Sequence, residues 1–312
     1  MRRLHSVGFL LLLIWTLGAA VPRLLAQDVS SLEDRIRTAI ESGQIGAALD
    51  LARQGIQQYP KSSDLQQLLG VALLKKGLAD EARPAFQRAI ELEPNTPDNY
   101  FDLALVELSQ NRYQAAVGPL EKCVQLKPDN AEAHLLLGRS YHNLNQTLPA
   151  IEQFKKALAI NPRLPLAHYH LGYAYQSQGD LGAALGEFKQ EIGLNPGFEE
   201  AYWLAGNIEL KRGNLDAAAD LYRRAIALKP DRYDGHYGLG RVLRNEKDYA
   251  GAADELRLAL AAKPKSVEAH YALAEVYQRM GRTDDARREF DQCARLNAQQ
   301  QAAGGGIAGQ HP

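Results

Sequence analysis

The chain has 312 residues, of which 36 are Lys or Arg and 37 are Asp or Glu, so its formal net charge is −1. The sequence pI is about 6.7. This balance provides no basic surface over the whole molecule, and we therefore expect no nucleic-acid partner. Hydrophobic residues make up 46% and charged residues 23%, which is typical of a folded globular protein.

The first 26 residues have the pattern of a secretory signal peptide. Two arginines near the start precede an apolar run at 7–17, and small residues follow at 18–20. Cleavage after Ala20 matches the small-x-small preference, whereas cleavage after Ala26 leaves a polar start, and both sites stay open. We expect an exported protein, periplasmic or secreted. The alternative is a membrane anchor left uncleaved, although the apolar run is shorter than the ~20 residues that span a bilayer.

Prolines recur at a spacing of 34 residues through the rest of the chain. They are Pro60, Pro94, Pro128, Pro162, Pro196, Pro230 and Pro264. A fixed period of this length indicates a tandem repeat array, in which each repeat packs on its neighbours. The period predicts eight units over 27–300, with a degenerate unit at 29–62 and seven clear units over 63–300. We expect the Gly-rich segment 301–312 to be a disordered tail.

Other positions of the repeat also keep their residue type. Alanine stands twelve residues before the proline position in all eight units, and Phe, Tyr or Leu stands four residues later in seven of them. Seven units carry glycine or asparagine seventeen residues before the proline position, where a helix end needs a left-handed backbone, and Lys247 is the exception. Apolar residues at three- and four-residue spacing predict two helices per unit, and the proline ends the second helix.

This pattern of small and large apolar residues, closed by proline within 34 residues, resembles the tetratricopeptide repeat (TPR) family. Unit 165–198, with HYHLGYAYQSQGDLGAALGEFKQEIGLNPGF, shows it well. The resemblance implies an all-α fold, an α-solenoid of tandem helix-turn-helix units that forms a right-handed superhelix. It also implies that the first helices line the concave side of that superhelix.

The period assigns structural roles to residues that otherwise suggest chemistry. Cys123 and Cys293 share a phase that alanine fills in other units, and they lie five repeats apart, so we expect two free, buried thiols and no disulfide. Another phase holds four histidines, and tyrosine in two more units: His134, His168, His236 and His270. Because adjacent copies would lie ~10 Å apart, we interpret them as helix-packing residues and expect no metal site.

The sequence carries no G-x-S-x-G, H-E-x-x-H or P-loop motif. The glycines at 235, 238 and 240 fall within a predicted first helix rather than after a strand, so they do not form a phosphate loop. We therefore expect no catalytic residues, no cofactor and no enzyme activity.

A second stripe of the first helices is rotated by about one residue from the packing stripe. It combines aromatic side chains with arginine, which is typical of interaction hot spots. The peptide-binding groove predicted from it consists of Phe101, Leu135, Arg139, His142, Tyr169, Tyr173, Trp203, Asn207, Tyr237, Arg241, Arg244 and Tyr271. The alternative is that these aromatics pack against the next repeat. The arginines favour a ligand that carries carboxylates.

These observations predict a non-enzymatic interaction scaffold of the cell envelope or exterior, which binds a polypeptide segment in the groove. The alternative is a structural solenoid that assembles with itself through exposed leucines, for which the candidates are Leu73, Leu74, Leu105 and Leu108. The membrane is a partner only if the N-terminal segment stays uncleaved. The sequence leaves monomer and dimer open.

Overall fold

A computed structural model describes residues 28–305 of the chain, with side chains to 301, and these residues form sixteen α-helices and no strand. The expected all-α repeat solenoid is confirmed. The chain divides into two compact units at the boundary between Pro162 and Arg163. The predicted signal peptide at 1–26 lies outside the described residues.

The helices pair into consecutive hairpins, four in each unit. The first unit contains α1 (28–41), α2 (Ile45–Gln58), α3 (Ser63–Lys75), α4 (Ala79–Leu92), α5 (Pro97–Ser109), α6 (Tyr113–Leu126), α7 (Ala131–Asn143) and α8 (Thr147–Ile160). The second contains α9 (Ala167–Gln178), α10 (Leu181–Leu194), α11 (Glu199–Lys211), α12 (Leu215–Leu228), α13 (Tyr233–Asn245), α14 (Tyr249–Ala262), α15 (Val267–Arg279) and α16 (Thr283–Gly305). Within each unit, the second helix of one hairpin packs on the first helix of the next.

The left-handed backbone that the sequence predicts between the two helices of a unit is confirmed at the seven glycine and asparagine positions, and Lys247, the exception in sequence, adopts it as well. The angle φ lies between 57° and 90° at Gly43, Gly77, Asn111, Asn145, Gly179, Gly213, Lys247 and Gly281. Glycine adopts this conformation without steric cost and asparagine tolerates it, whereas other side chains lose about 1 kcal/mol there. Lys247, with φ 67°, is therefore the strained member of the set.

Small residues on the first helices allow the close helix approach that the sequence predicts. A Cβ atom added to Gly70 would lie 2.7 Å from the ring of Phe86, and one added to Gly138 would lie 2.6 Å from the ring of Phe154. Both phenylalanine side chains are fully buried. Because no room remains for even a methyl group, a larger residue at either glycine would push the helices apart.

The histidine phase does more than fill space, because its side chains bind the proline turns. At His236, Nε2 lies 2.7 Å from the Pro230 carbonyl oxygen and Nδ1 lies 2.6 Å from the Glu255 carboxylate. His270 repeats both kinds of contact one repeat later, and His134 makes the corresponding contacts in the first unit.

Two other units have a tyrosine at this position of the repeat, and its hydroxyl donates to the carbonyl of the preceding proline. Tyr100 donates to Pro94 at 2.9 Å, and Tyr202 donates to Pro196 at 3.1 Å.

Both cysteines are free and buried. Cys123 lies in the core formed by α5, α6 and α7, and burial raises the pKa of its thiol to about 11. Burial also raises the pKa of the Cys293 thiol, whose Sγ lies 3.5 Å from the Val267 carbonyl oxygen. A raised pKa keeps both sulfurs in the unreactive thiol form at neutral pH.

Two sequence expectations are wrong. Helix α16 continues to Gly305, so it covers the first five residues of the segment expected to be a disordered tail. The run of glutamine and alanine that precedes the glycines favours helix, which explains the extension. The rest of that segment, 306–312, lies outside the described residues.

The second error concerns the leucines that suggested self-assembly. Leu73 is only 3% exposed, and Leu74 packs partly buried against the same core. Leu108 packs against the core of α5, α6 and α7, and Leu105 is half-buried. Leu73, Leu74 and Leu108 therefore contribute to core packing, and Leu105 is partly covered, so these leucines do not form the exposed apolar surface that motivated a self-assembling solenoid.

Replacing His236 tests the role of the proline-turn hydrogen bonds. His236→Phe leaves the Pro230 carbonyl and Glu255 without this partner, and we expect it to lower the free energy of unfolding by about 1–3 kcal/mol. His236→Tyr retains a donor of the kind found at Tyr100 and Tyr202, so its loss should be smaller. Urea unfolding followed by circular dichroism measures both. Equal losses for the two variants would show that ring packing alone matters.

Asp102 on α5 predicts a pH dependence of stability. It is partly buried at a phase where leucine stands in three other units, and Gln67 Nε2 donates to its Oδ2 at 2.8 Å. Burial raises the pKa of Asp102 to about 6, against 3.8 for the ordinary side chain. Since the folded state holds the proton more tightly, its contribution to the free energy of unfolding falls as pH rises from about 4 to about 6.

We therefore expect Asp102→Asn to stabilise the protein above pH 6 and to change little at pH 4. The gain at pH 7 should be roughly 1–2 kcal/mol, because residual solvent exposure reduces the full effect of the shift. Urea unfolding at pH 4 and pH 7 measures the difference. A gain of the same size at both pH values would contradict a charge-based origin.

Candidate functional site: a tyrosine- and arginine-lined pocket

The structure gathers four of the predicted groove residues around one cavity in the second unit. This cavity has a volume of about 640 Å³, and we call it the tyrosine pocket. Its lining residues are Tyr237, Arg241, Arg244, Val267, Glu268, Tyr271, Ala272, Glu275, Cys293 and Asn297. Helices α13, α15 and α16 therefore form its walls.

Helical spacing explains why these side chains meet. Tyr237, Arg241 and Arg244 follow one another at four and three residues on α13, which places them on one helix face. Tyr271 occupies on α15 the same repeat phase as Tyr237 on α13. The repeat thus carries two tyrosines to neighbouring first helices, and both line the cavity.

Neighbouring rings hold the two tyrosines in place. The Tyr237 ring stacks on Tyr233 with a centroid distance of 5.1 Å and an interplanar angle of 15°. Tyr271 meets Phe290 of α16 edge-on at 5.7 Å, and 51% of Tyr271 remains exposed. An aromatic side chain that is fixed on one side and open on the other loses little conformational entropy when it binds a ligand.

The charges of the tyrosine pocket divide into paired and unpaired groups. Arg244 Nη1 donates to Glu275 and forms an ion pair with it. Hydrogen bonds from its own backbone N–H and from Ser266 hold the pKa of Glu268 below its ordinary value, so this carboxylate is ionised at neutral pH. The guanidinium of Arg241 lies 5.5 Å from the Tyr237 ring centroid, and no carboxylate of the described chain lies within ion-pair distance of it. The guanidinium of Arg241 can therefore bind a carboxylate of a ligand.

The other predicted groove residues of the second unit mainly pack within it. Tyr169 contacts Phe198 edge-on at 5.0 Å and lies 6.1 Å from Tyr173, which is 41% exposed. Trp203 packs against the cores of two successive hairpins. Asn207 accepts a hydrogen bond from the buried Tyr222 hydroxyl at 2.8 Å. These contacts correspond to the packing alternative that the sequence left open.

The predicted groove residues of the first unit lie on α5 and α7. Phe101 packs against the core of α5, α6 and α7, and Leu135 is half-buried. Arg139 is exposed, whereas His142 is half-buried, and burial lowers the pKa of its imidazole. A cavity of about 570 Å³ in this unit is lined by other residues, which belong mainly to α6, α7 and α8.

Sequence reasoning missed the α16 wall of the tyrosine pocket. Cys293 and Asn297 line the cavity from the second helix of a hairpin, whereas the groove residues predicted from the sequence all lie on first helices. Cys123, at the same phase, is covered by α7 and has no exposed surface, whereas Cys293 is 6% exposed. No first helix of the described chain follows α16 and covers Cys293, so this residue lines the pocket instead.

Residues 28–305 contain no group of three or more His, Cys, Asp or Glu side chains placed to hold a metal ion. Over the same range, every helix is too short or too polar to cross a bilayer. The tyrosine pocket combines aromatic surface with the unpaired guanidinium of Arg241 and the ionised carboxylate of Glu268.

Fold and site together define a helical-hairpin repeat protein with a ligand-sized pocket. Family models described as tetratricopeptide repeat match residues 39–104, 169–232, 204–267 and 243–306, and one described as TPR repeat matches 144–179. The model for anaphase-promoting complex, cyclosome, subunit 3 matches 75–157. The chain belongs to the tetratricopeptide repeat family. No curated protein matches the sequence.

Several solved structures share the fold. MamA is 26% identical, with a TM-score of 0.51 over 52% of this chain and 95% of MamA. YrrB, described as a TPR protein with an unusual peptide-binding site, is 20% identical, with a TM-score of 0.54 over 63% of this chain and 97% of YrrB. Pseudomonas aeruginosa pilF is 18% identical, with a TM-score of 0.59 over 68% of this chain and 97% of pilF.

Trp203 provides a test of packing against ligand contact. Its indole Nε1 is buried and has no hydrogen-bond partner in the described chain. Trp203→Phe removes this unsatisfied donor and leaves a modest void, so we expect a net change below about 1 kcal/mol in the free energy of unfolding. Trp203→Ala should lose about 3–5 kcal/mol. Urea unfolding measures both, and a tolerated alanine would contradict the packing role.

Proposed function

We propose that this protein is a non-enzymatic scaffold that binds a polypeptide segment of a partner protein in the tyrosine pocket. The observation that carries the proposal is the meeting of Tyr237, Arg241, Arg244 and Tyr271 around one cavity. A cavity lined by two tyrosine rings suits an apolar or aromatic anchor residue. Arg241 supplies a cation for an acidic side chain or a terminal carboxylate beside that anchor.

Family membership supports this proposal in a general way. Tetratricopeptide repeat proteins mediate protein–protein interactions. YrrB, which has the same fold, carries a peptide-binding site. The fold is therefore compatible with peptide binding, while the identity of the anchor positions rests on the residues of this chain.

The cellular setting is also part of the proposal. The pattern at 1–26 favours export, so we place the partner in the cell envelope or outside the cell. A membrane-anchored form, with residues 1–26 uncleaved, would bind the same partner from the membrane surface.

A photo-crosslinking amino acid at position 271 tests the proposal in the cells that make the protein. Because Tyr271 is half exposed, the replacement should leave the fold intact. We expect crosslinks to a specific polypeptide, identified by mass spectrometry. The matched control places the same group at Arg224 of α12, which is exposed and lies outside the tyrosine pocket.

The same partners at both positions, or none at 271, would contradict the proposal. Crosslinks from 271 to a second copy of this chain would instead support the self-assembling alternative. With the captured segment made as a peptide, Arg241→Ser combined with Tyr271→Ser should weaken binding at least about tenfold. The melting temperature should stay within about 2 °C, since neither side chain is buried.

A further inference from the structure

A second cavity adjoins the tyrosine pocket where α13 and α15 end. It has a volume of about 620 Å³ and shares Arg244 and Glu275 with the tyrosine pocket. Its lining also includes Lys247 and Arg279, which are both exposed. We call Arg244, Lys247 and Arg279 the basic rim.

Charge at the basic rim is unbalanced. Glu275 is the one carboxylate that lines this cavity, and it is already paired with Arg244. Within residues 28–301, Lys247 and Arg279 have no carboxylate at ion-pair distance. Two cations therefore face the cavity without an internal counter-charge.

Helix ends explain only part of this cluster. Arg244 and Arg279 stand in the last turns of α13 and α15, where a cation interacts favourably with the helix dipole. Lys247 lies in the turn before α14 and has a left-handed backbone, at a phase where every other unit has glycine or asparagine. A lysine in that conformation is strained, and strain of this kind concentrates at functional positions.

We propose that the basic rim binds an acidic side chain of the same polypeptide segment whose anchor residue lies in the tyrosine pocket. This inference rests on the proposed function and adds the chemistry of the partner: aspartate or glutamate next to an apolar or aromatic residue. Charge complementarity supports this occupant, because the two unpaired cations adjoin a pocket whose aromatic walls suit the anchor.

Selection from a random 12-residue peptide library, displayed on phage and panned on the full chain, tests this inference. We expect selected peptides to combine an aromatic or large apolar residue with an excess of Asp and Glu. Peptides selected on Lys247→Gly with Arg279→Ser should contain fewer Asp and Glu residues, since only Arg241 and the paired Arg244 remain, and this variant should bind a peptide selected on the unmodified chain about fivefold more weakly at 0.1 M salt. The matched control, Arg223→Ser with Arg287→Ser, changes net charge equally at exposed positions of α12 and α16, and should stay within twofold.

Lys247→Gly alone separates binding from folding. It relieves the left-handed strain, so the melting temperature should rise while affinity falls about threefold. An unchanged affinity of Lys247→Gly for a selected peptide would contradict the proposal that the basic rim binds an acidic side chain. Selected peptides without an excess of Asp and Glu would also contradict binding at the basic rim. The proposed binding in the tyrosine pocket would still hold if Arg241→Ser and Tyr271→Ser weaken the binding of those peptides. If no peptide is selected, or if those pocket variants change nothing, the proposed function and the basic rim both fail.

Discussion

The close contact between a small residue on one helix and a ring or leucine on the next determines the rest of this structure. At Gly70 and Phe86 the two side-chain positions leave no room for an added methyl group. Such contacts fix the distance between the helices of each hairpin, and the 34-residue period repeats that distance along each unit. The residues available for binding are therefore those that helix packing does not bury, and they lie on the neighbouring face of the first helices.

Hydrogen bonds at the proline turns add a second constraint. At five of the proline turns, the histidine or tyrosine six residues after the proline binds that proline's carbonyl oxygen. In three of these units the residue is a histidine, which also reaches a polar side chain of the following helix. Each of these histidines joins a turn to both helices that follow it, whereas each tyrosine joins the turn to the first of them. Turns that would otherwise depend on backbone preference alone are thus tied to the packed helices, which keeps successive hairpins in register.

The proposed binding surface lies where the sequence departs from its own repeat. At the phase of Arg244 three other units have leucine, and at the phase of Lys247 all others have glycine or asparagine. Arginine thus replaces an apolar residue at 244, and lysine replaces glycine or asparagine at 247, where the backbone is left-handed. Within residues 28–301, no ion pair compensates Lys247 for this strain. Departures of this kind are expected where binding, rather than folding, selects the residue.

The sequence by itself determined the helices, the turns and the buried position of Cys123, because these follow from a period that all units share. It placed the histidines among the packing residues, but their hydrogen bonds to the proline carbonyls became visible only in the tertiary structure. It also placed Tyr237, Arg241, Arg244 and Tyr271 on one stripe. Only the tertiary structure decided that these four meet in one cavity, that α16 closes it with Cys293, and that Trp203 and Asn207 are occupied by internal contacts. The physical reason is that periodicity specifies which face of a helix a residue lies on, whereas exposure and pairing depend on the neighbouring helices that cover that face.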